Sequence, residues 1–247
     1  MILTPSCRLW KSLTVAGCGY LSDGRTSFAA MGLSVGTGGL AFAVAAGGDP
    51  AYLDALTEQL RALSELLVRE GLAPHDEPRT AGSAEDRARI GGVPYSFVHY
   101  LRRAYARARE YPEQPLTPVA DGDSASDDPA INLVGSTFDS HLICHSDCEG
   151  FYVPVDFDDV LFAGEDVDVA GGMVGSSSAL IRELVYVAPY LGIELVDGVL
   201  SDAEIGRIRT MLDSDSSHPF DRELITWLLL FEAARVSIEN GTVVEFG

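Results

Sequence analysis

The chain has almost no lysine, few cysteines and no long apolar segment. Lysine occurs once, at Lys11, against sixteen arginines, a bias that is typical of high-GC bacterial genes and also compatible with a halophilic source. Four cysteines are too few for a disulfide scaffold of this length, and no CxxC pair is present. No apolar run reaches the roughly eighteen residues that indicate a membrane-spanning helix. We therefore expect neither a disulfide-stapled domain nor a membrane protein.

The first residues also lack the pattern of a secretion signal, because no basic start is followed by an apolar stretch. Hydrophobic residues nevertheless make up 47% of the chain, which is enough for a sizeable core. The sequence predicts a soluble cytoplasmic protein whose thiols are reduced.

Acidic charge is concentrated in one half of the chain. Residues 1–110 carry 12 Lys+Arg and 11 Asp+Glu, whereas residues 111–247 carry 5 Arg and 26 Asp+Glu. The field of such a half repels nucleic acid and anionic membranes and speeds association with basic proteins. We expect a basic protein partner, no nucleic acid and no membrane; a homo-oligomer is compatible with this pattern. A surface that only keeps the protein in solution is the alternative.

Apolar patterns predict an α+β fold without regular βαβ repeats. Short apolar runs predict strands at 13–16, 27–35, 40–45, 131–134, 137–145, 151–157 and 242–246. Helical periodicity and capping residues predict about five helices, at 50–70, 94–110, 176–188, 201–212 and 219–240. We expect a mostly antiparallel sheet in a single compact domain or two closely packed halves.

Three parts are predicted along the chain, most simply within one domain. Residues 1–110 form a β-rich segment with two helices, and residues 131–247 form an acidic α+β half. Residues 111–130, rich in proline and acidic side chains and poor in apolar ones, form a flexible acidic connection between them.

Residues 141–150, His-Leu-Ile-Cys-His-Ser-Asp-Cys-Glu-Gly, hold most side chains that could carry chemistry. His141, His145 and Cys148 are candidate metal ligands, and with Asp147 they are also the candidate catalytic residues. The local pattern predicts a hairpin. On a strand, the two histidines would share a face but lie about 13 Å apart, too far to bind one metal ion easily.

A cysteine nucleophile is also disfavoured, because Cys148 lies between Asp147 and Glu149 and nearby negative charge opposes thiolate formation. Asp139 and His141 share a strand face and could form a carboxylate–histidine pair. Catalysis or metal binding would need a further group from elsewhere in the chain; His99 and His218 are the candidates.

Two glycine-rich segments resemble ligand-binding motifs, but each lacks a part that the motif requires. Gly36–Ala41 matches GxGxxA, but the following residues are predicted as a strand rather than a helix, so no cofactor is expected. Gly175–Ala179 reads GSSSA, one residue short of the GxSxG nucleophile elbow.

The sequence as a whole predicts a non-enzymatic binding protein whose acidic carboxyl-terminal half binds a basic protein. An immunity-type protein is the more specific form of this prediction. The predicted partner-binding residues are Asp147, Glu149, Asp156, Asp158 and Asp159. The alternative is a hydrolase or metal-dependent enzyme built on residues 141–149.

Overall fold

The structure is a computed structural model that describes residues 32–164, 167–213 and 218–247. The helices in these ranges are α1 (Gly39–Ala45), α2 (Pro50–Arg69), α3 (Tyr95–Glu110), α4 (Pro129–Gly135), α5 (His141–Cys144), α6 (Ser177–Val187), α7 (Asp202–Asp213) and α8 (Asp221–Asn240). The strands are β1 (Gly32–Thr37), β2 (Gly92–Pro94), β3 (Gly150–Val153), β4 (Leu161–Phe162), β5 (Met173–Ser176) and β6 (Val244–Phe246).

The strands form one sheet in the order β2-β1-β6-β3-β5-β4. β3 and β5 run parallel, and every other neighbouring pair is antiparallel. The predicted α+β class in one compact unit is confirmed. The sheet is mixed rather than purely antiparallel, and there are more helices than the five predicted.

Side chains of the sheet alternate between two cores. On β3, Phe151 and Val153 pack with the buried leucines of α2, whereas Tyr152 belongs to the core formed with α3, α6 and α8. This alternation follows from the two-residue period of a strand. The sheet therefore lies between α2 on one face and a layer of three helices on the other.

The long helices begin and end where the capping residues predict. Asp49 accepts a hydrogen bond from the backbone N–H of Ala51 at the start of α2, and the Ser176 hydroxyl caps α6 in the same way. Ser201 caps α7 by accepting from the N–H of Glu204. Gly241, with φ 67°, ends α8 in the left-handed conformation that favours glycine. Among the described residues, no helix has both the length and the apolarity to cross a membrane.

Three predicted strands are helical or irregular in the structure. Residues 40–45 lie in α1 and residues 131–134 in α4, which starts at Pro129 with Asp128 as its N-cap. Residues 137–145 contain a turn and then the single-turn helix α5. Short apolar runs look alike in strands and buried helices, so the pattern could not separate them. The predicted strand at 13–16 and the start of the one at 27–35 lie outside the described residues.

Candidate protein-binding site

Residues 141–150 form one helical turn, a loop and the start of β3, not the predicted hairpin. The carboxylate of Glu183 on α6 accepts hydrogen bonds from the N–H groups of His141 and Leu142, at 2.8 and 2.7 Å. At the end of the loop, Gly150 has φ 132°, and a Cβ there would lie 3.0 Å from the ring of His145. Glycine therefore lets β3 start directly beside that histidine.

His141 connects three segments through backbone groups. Its Nδ1 accepts from the N–H of Ser176 at 2.9 Å, so the neutral ring carries its proton on Nε2. Nε2 lies 3.0 Å from the carbonyl oxygen of Asp158, to which it donates. Burial lowers the pKa of this histidine and keeps it neutral. Both ring nitrogens are thus engaged in hydrogen bonds with the backbone.

His145 is buried as well, and it stacks on Tyr152 with 4.1 Å between ring centroids. Burial lowers its pKa to about 4. Nδ1 lies 2.8 Å from the carbonyl oxygen of Ser146, and Nε2 lies 3.2 Å from that of Phe151. Because a neutral ring has one N–H, the shorter contact is assigned as the donated bond.

We predict that His141→Ala lowers the free energy of unfolding by about 1–3 kcal/mol, because the buried N–H of Ser176 loses its acceptor. Chemical denaturation measures this value. An unchanged stability together with the loss of a bound metal would contradict the structural role. Within residues 32–164, 167–213 and 218–247, no three His, Cys, Asp or Glu side chains are grouped to hold a metal.

The two distant histidines do not pair with His141 or His145 in the described part of the chain. Nε2 of His99 lies 3.1 Å from a carboxylate oxygen of Asp147, and this hydrogen bond lowers the pKa of Asp147 to about 2. His218 contacts Phe220. A metal or catalytic centre that joins them to His141 is therefore absent from this arrangement.

Asp139 does not pair with His141 as the strand geometry suggested. Both of its carboxylate oxygens bind the guanidinium of Arg109, at 2.7 and 3.1 Å. The contact lowers the pKa of Asp139. The reason is the turn that replaces the predicted strand, since alternate residues no longer share a face there.

Neither glycine-rich segment forms a ligand loop in the structure. A helix does follow Gly38, contrary to the sequence prediction, but the next strand, β2, is antiparallel to β1, unlike a dinucleotide-binding unit. Glu245 lies against the start of that helix, where a Cβ on Gly39 would be 2.4 Å from its carboxylate. In the GSSSA segment, Ser177 is buried and its hydroxyl lies 2.7 Å from that of Ser237.

The strongest charge feature is a long segment without lysine or arginine. Residues 110–181 contain 15 Asp and Glu and no Lys or Arg; we call them the acidic segment. Of those in the described ranges, 110–164 and 167–181, nine are exposed: Glu110, Glu113, Asp121, Asp123, Asp127, Asp156, Asp158, Asp159 and Asp168. The absence of lysine and arginine between Arg109 and Arg182 is visible in the sequence. It defines the acidic surface more closely than the division of the chain into residues 1–110 and 111–247.

The predicted partner-binding carboxylates differ in their availability. Asp156 and Asp158 are exposed and share Arg182, at 2.7 and 3.4 Å. Asp159 is exposed and has no ion pair among the described residues. Asp147 and Glu149 are only half-exposed. The exposed three, which we call the acidic loop, are therefore the most accessible to another protein.

Three buried carboxyl groups lower the stability of the fold as the pH rises, and they outnumber the two buried histidines, whose lowered pKa acts the other way below about pH 6.5. Burial raises the pKa of Glu183, Glu223 and Glu245 to about 7, from an ordinary value of 4.5. Between these values the folded chain binds more protons than the unfolded chain, so stability falls as pH rises. We predict a higher Tm at pH 5.5 than at pH 8, measured by calorimetry. A Tm that rises over this interval would contradict the assignment, and Glu245→Gln should flatten the dependence.

Comparison with known proteins identified a protein family that matches most of the chain. The family described as "Putative DNA-mimic protein" matches residues 30–246. No curated protein and no solved structure matches the chain. The family match supports a non-enzymatic, protein-binding role and says nothing of an immunity function.

The same match corrects the prediction that nucleic acid has no part in the interactions of this chain. The acidic half repels DNA itself, but this repulsion does not exclude a partner that binds nucleic acid. A DNA mimic resembles DNA in charge, so the family implies a protein partner whose natural ligand is nucleic acid.

Proposed function

Because the chain belongs to the DNA-mimic family, we propose that it binds a DNA-binding protein at the surface which that protein uses for DNA. The bound partner would be unable to hold nucleic acid. The expected interaction is reversible and depends on the folded surface, and it requires no chemistry from residues 141–149.

The acidic segment is the observation that carries this proposal. Duplex DNA presents a dense row of phosphates, and proteins bind it largely by matching that charge with lysine and arginine. Residues 110–181 contain 15 Asp and Glu and no Lys or Arg, and nine of the carboxylates that the structure describes there are exposed. A surface that serves only solubility would not need charge of one sign over so long a segment.

The arginines just before the segment support the same view, because they are used inside the fold. Arg103 and Arg107 on α3 both bind Asp128, at 3.0 and 2.5 Å. Arg102 is buried and donates to the carbonyl oxygens of Leu142 and His145. These three arginines therefore bind groups of the acidic segment within the fold, and their positive charges are not presented at its surface.

The acidic loop is the part of this surface that we expect at the centre of the interface. Its carboxylates are exposed, and the loop is anchored by the hydrogen bond from His141 to the backbone of Asp158. Ordered charges lose less entropy on binding than flexible ones. Protection of the cell that makes the protein, the immunity-type role, is a narrower form of this function and stays a prediction.

A DNA column tests the proposal. DNA-binding proteins from the source cell are loaded on immobilised duplex DNA, and the purified protein is passed over them at constant salt. We expect release of a discrete DNA-binding protein, which is then purified and titrated directly. Polyaspartate of equal total charge is the control. Release of the same proteins by polyaspartate, or of none by the folded protein, would overturn the proposal.

A further inference from the structure

Two aromatic side chains lie exposed within the acidic segment. Phe138 is 57% exposed and Phe162 is 46% exposed. Their rings meet edge to face, with centroids 5.5 Å apart. Large exposed aromatic side chains that contact each other are uncommon on soluble surfaces and are typical of protein interfaces.

The backbone at Phe138 is held in an unfavourable conformation that exposes the ring. Its φ is 58°, in the left-handed region that bulky residues rarely adopt. The residues on either side fix this turn: Thr137 donates to the carbonyl oxygen of Val134 at 2.7 Å, and Asp139 is held by Arg109. Strain that the surroundings enforce is found at functional positions.

Beside the two rings lies an apolar depression of about 380 Å³. Among the described residues, no charged side chain lines it; Ile131, Ile143, Cys144 and Met173 contribute apolar surface, and Asn132 and Ser136 lie at its polar side. A second depression shares Phe138 and Phe162 and includes Asp159 of the acidic loop. The aromatic pair therefore lies next to both an apolar depression and a carboxylate.

We infer that this aromatic pair and its depression receive an apolar side chain of the DNA-binding partner, one flanked by lysine or arginine. The inference rests on the proposed function, which it extends by naming where and how the partner docks. The rings and the recess would bury the apolar group, while Asp159 and its neighbours would meet the basic residues beside it. Such a centre, apolar and surrounded by charge, is where binding energy concentrates in protein interfaces.

Charge complementarity selects this occupant over others. A second copy of the chain would bring its own acidic segment against this one, and like charges oppose such contact. An anionic lipid surface is repelled for the same reason. A basic protein with an exposed apolar side chain matches both the charge and the recess.

Two labelled peptides test the inference without any DNA or natural partner. One is Lys-Arg-Lys-Trp-Lys-Arg-Lys, and the other has alanine in place of tryptophan. We expect the wild-type protein to bind the tryptophan peptide about 5- to 10-fold more tightly, as measured by fluorescence anisotropy, because one aromatic group is buried. In Phe138→Ala and Phe162→Ala this preference should fall to less than about 2-fold, while the salt dependence of binding stays the same, since no charge is removed.

Phe42→Ala is the matched control, because Phe42 is 73% exposed and lies on α1; it should keep the full preference. Phe138→Gly serves as a second variant, since glycine adopts positive φ without strain and should preserve the Tm while losing the preference. Equal binding of both peptides by the wild-type protein, or a preference that survives in Phe138→Ala, would overturn the inference.

Failure of this docking site and failure of the proposed function give different results. A tryptophan preference without any protein released from the DNA column would keep the aromatic site and reject DNA mimicry. Release of a DNA-binding protein by both the wild type and Phe138→Ala, with equal affinity, would keep mimicry and reject the aromatic site. A dimer that sediments at micromolar concentration and dissociates in Phe138→Ala would assign the recess to a second copy and overturn the inference.

Discussion

Replacing Glu232 by glutamine is expected to lower the free energy of unfolding by about 3–5 kcal/mol. Glu232 lies on α8 with its side chain fully buried, and its carboxylate binds Arg87 at 2.6 Å and Arg235 at 2.8 Å. Glutamine keeps the shape but leaves two guanidinium groups without their shared counter-charge. Chemical denaturation measures the loss.

The pH dependence of this variant provides a second readout. The hydrogen bonds from Arg87 and Arg235 outweigh burial and lower the pKa of Glu232 to about 2, from an ordinary 4.5. Its stabilising contribution is therefore complete above about pH 4.5 and is lost as the pH falls toward 2. Glu232→Gln should lack that acid-dependent loss.

Glu239→Gln is the control for Glu232, because Glu239 binds the same Arg235 at 3.0 Å but is 52% exposed. Exposed pairs contribute less than about 1 kcal/mol. If both variants lose the same small amount of stability, the ion pairs of Glu232 with Arg87 and Arg235 do not stabilise the fold as predicted.

Neutralising the acidic loop is expected to have the largest effect on binding. The triple variant Asp156→Asn, Asp158→Asn and Asp159→Asn should bind the DNA-binding partner about 100-fold more weakly, at roughly 1 kcal/mol for each lost contact with a basic group. It also frees Arg182 from its two carboxylates. The slope of log Kd against log salt concentration should become shallower, because fewer charges take part.

A matched triple variant on α2 separates local contact from total charge. Asp54→Asn, Glu58→Gln and Glu65→Gln change the net charge by the same amount, and they also free one arginine, Arg61, which binds the two glutamates. This control should weaken binding less than about 5-fold, through the long-range field alone. Equal losses in both triple variants would mean that the acidic loop is not the contact surface.

Length and capping explain which elements could be predicted from the sequence. α2 is long and periodic and starts at its Asp49 cap, and α8 is long and is ended by Gly241, so each starts and ends within two residues of the prediction. α4 and α5 are too short to show a period, and their Asp128 and Ser140 caps were hidden among other turn residues. The parallel pairing of β3 and β5 depends on a crossover that no local pattern encodes.

The candidate site was predictable in its charge and not in its geometry. The acidic half was evident from composition. Asp156, Asp158 and Asp159 are exposed, and their partner-binding role stays a prediction. Phe138 and Phe162 meet only in the folded chain, because a turn with positive φ brings the first beside the second. Residues 141–145, which carry most of the reactive side chains, are mainly engaged in hydrogen bonds within the fold.

The most direct test of DNA mimicry is whether the partner can hold duplex DNA and this protein at the same time. Labelled DNA bound to the partner is titrated with the protein, and the sedimentation of the label is followed. We predict that free DNA appears in step with the protein–partner complex, and that the apparent Kd rises in proportion to the DNA concentration. A ternary complex that contains the DNA, the partner and this protein would contradict the account.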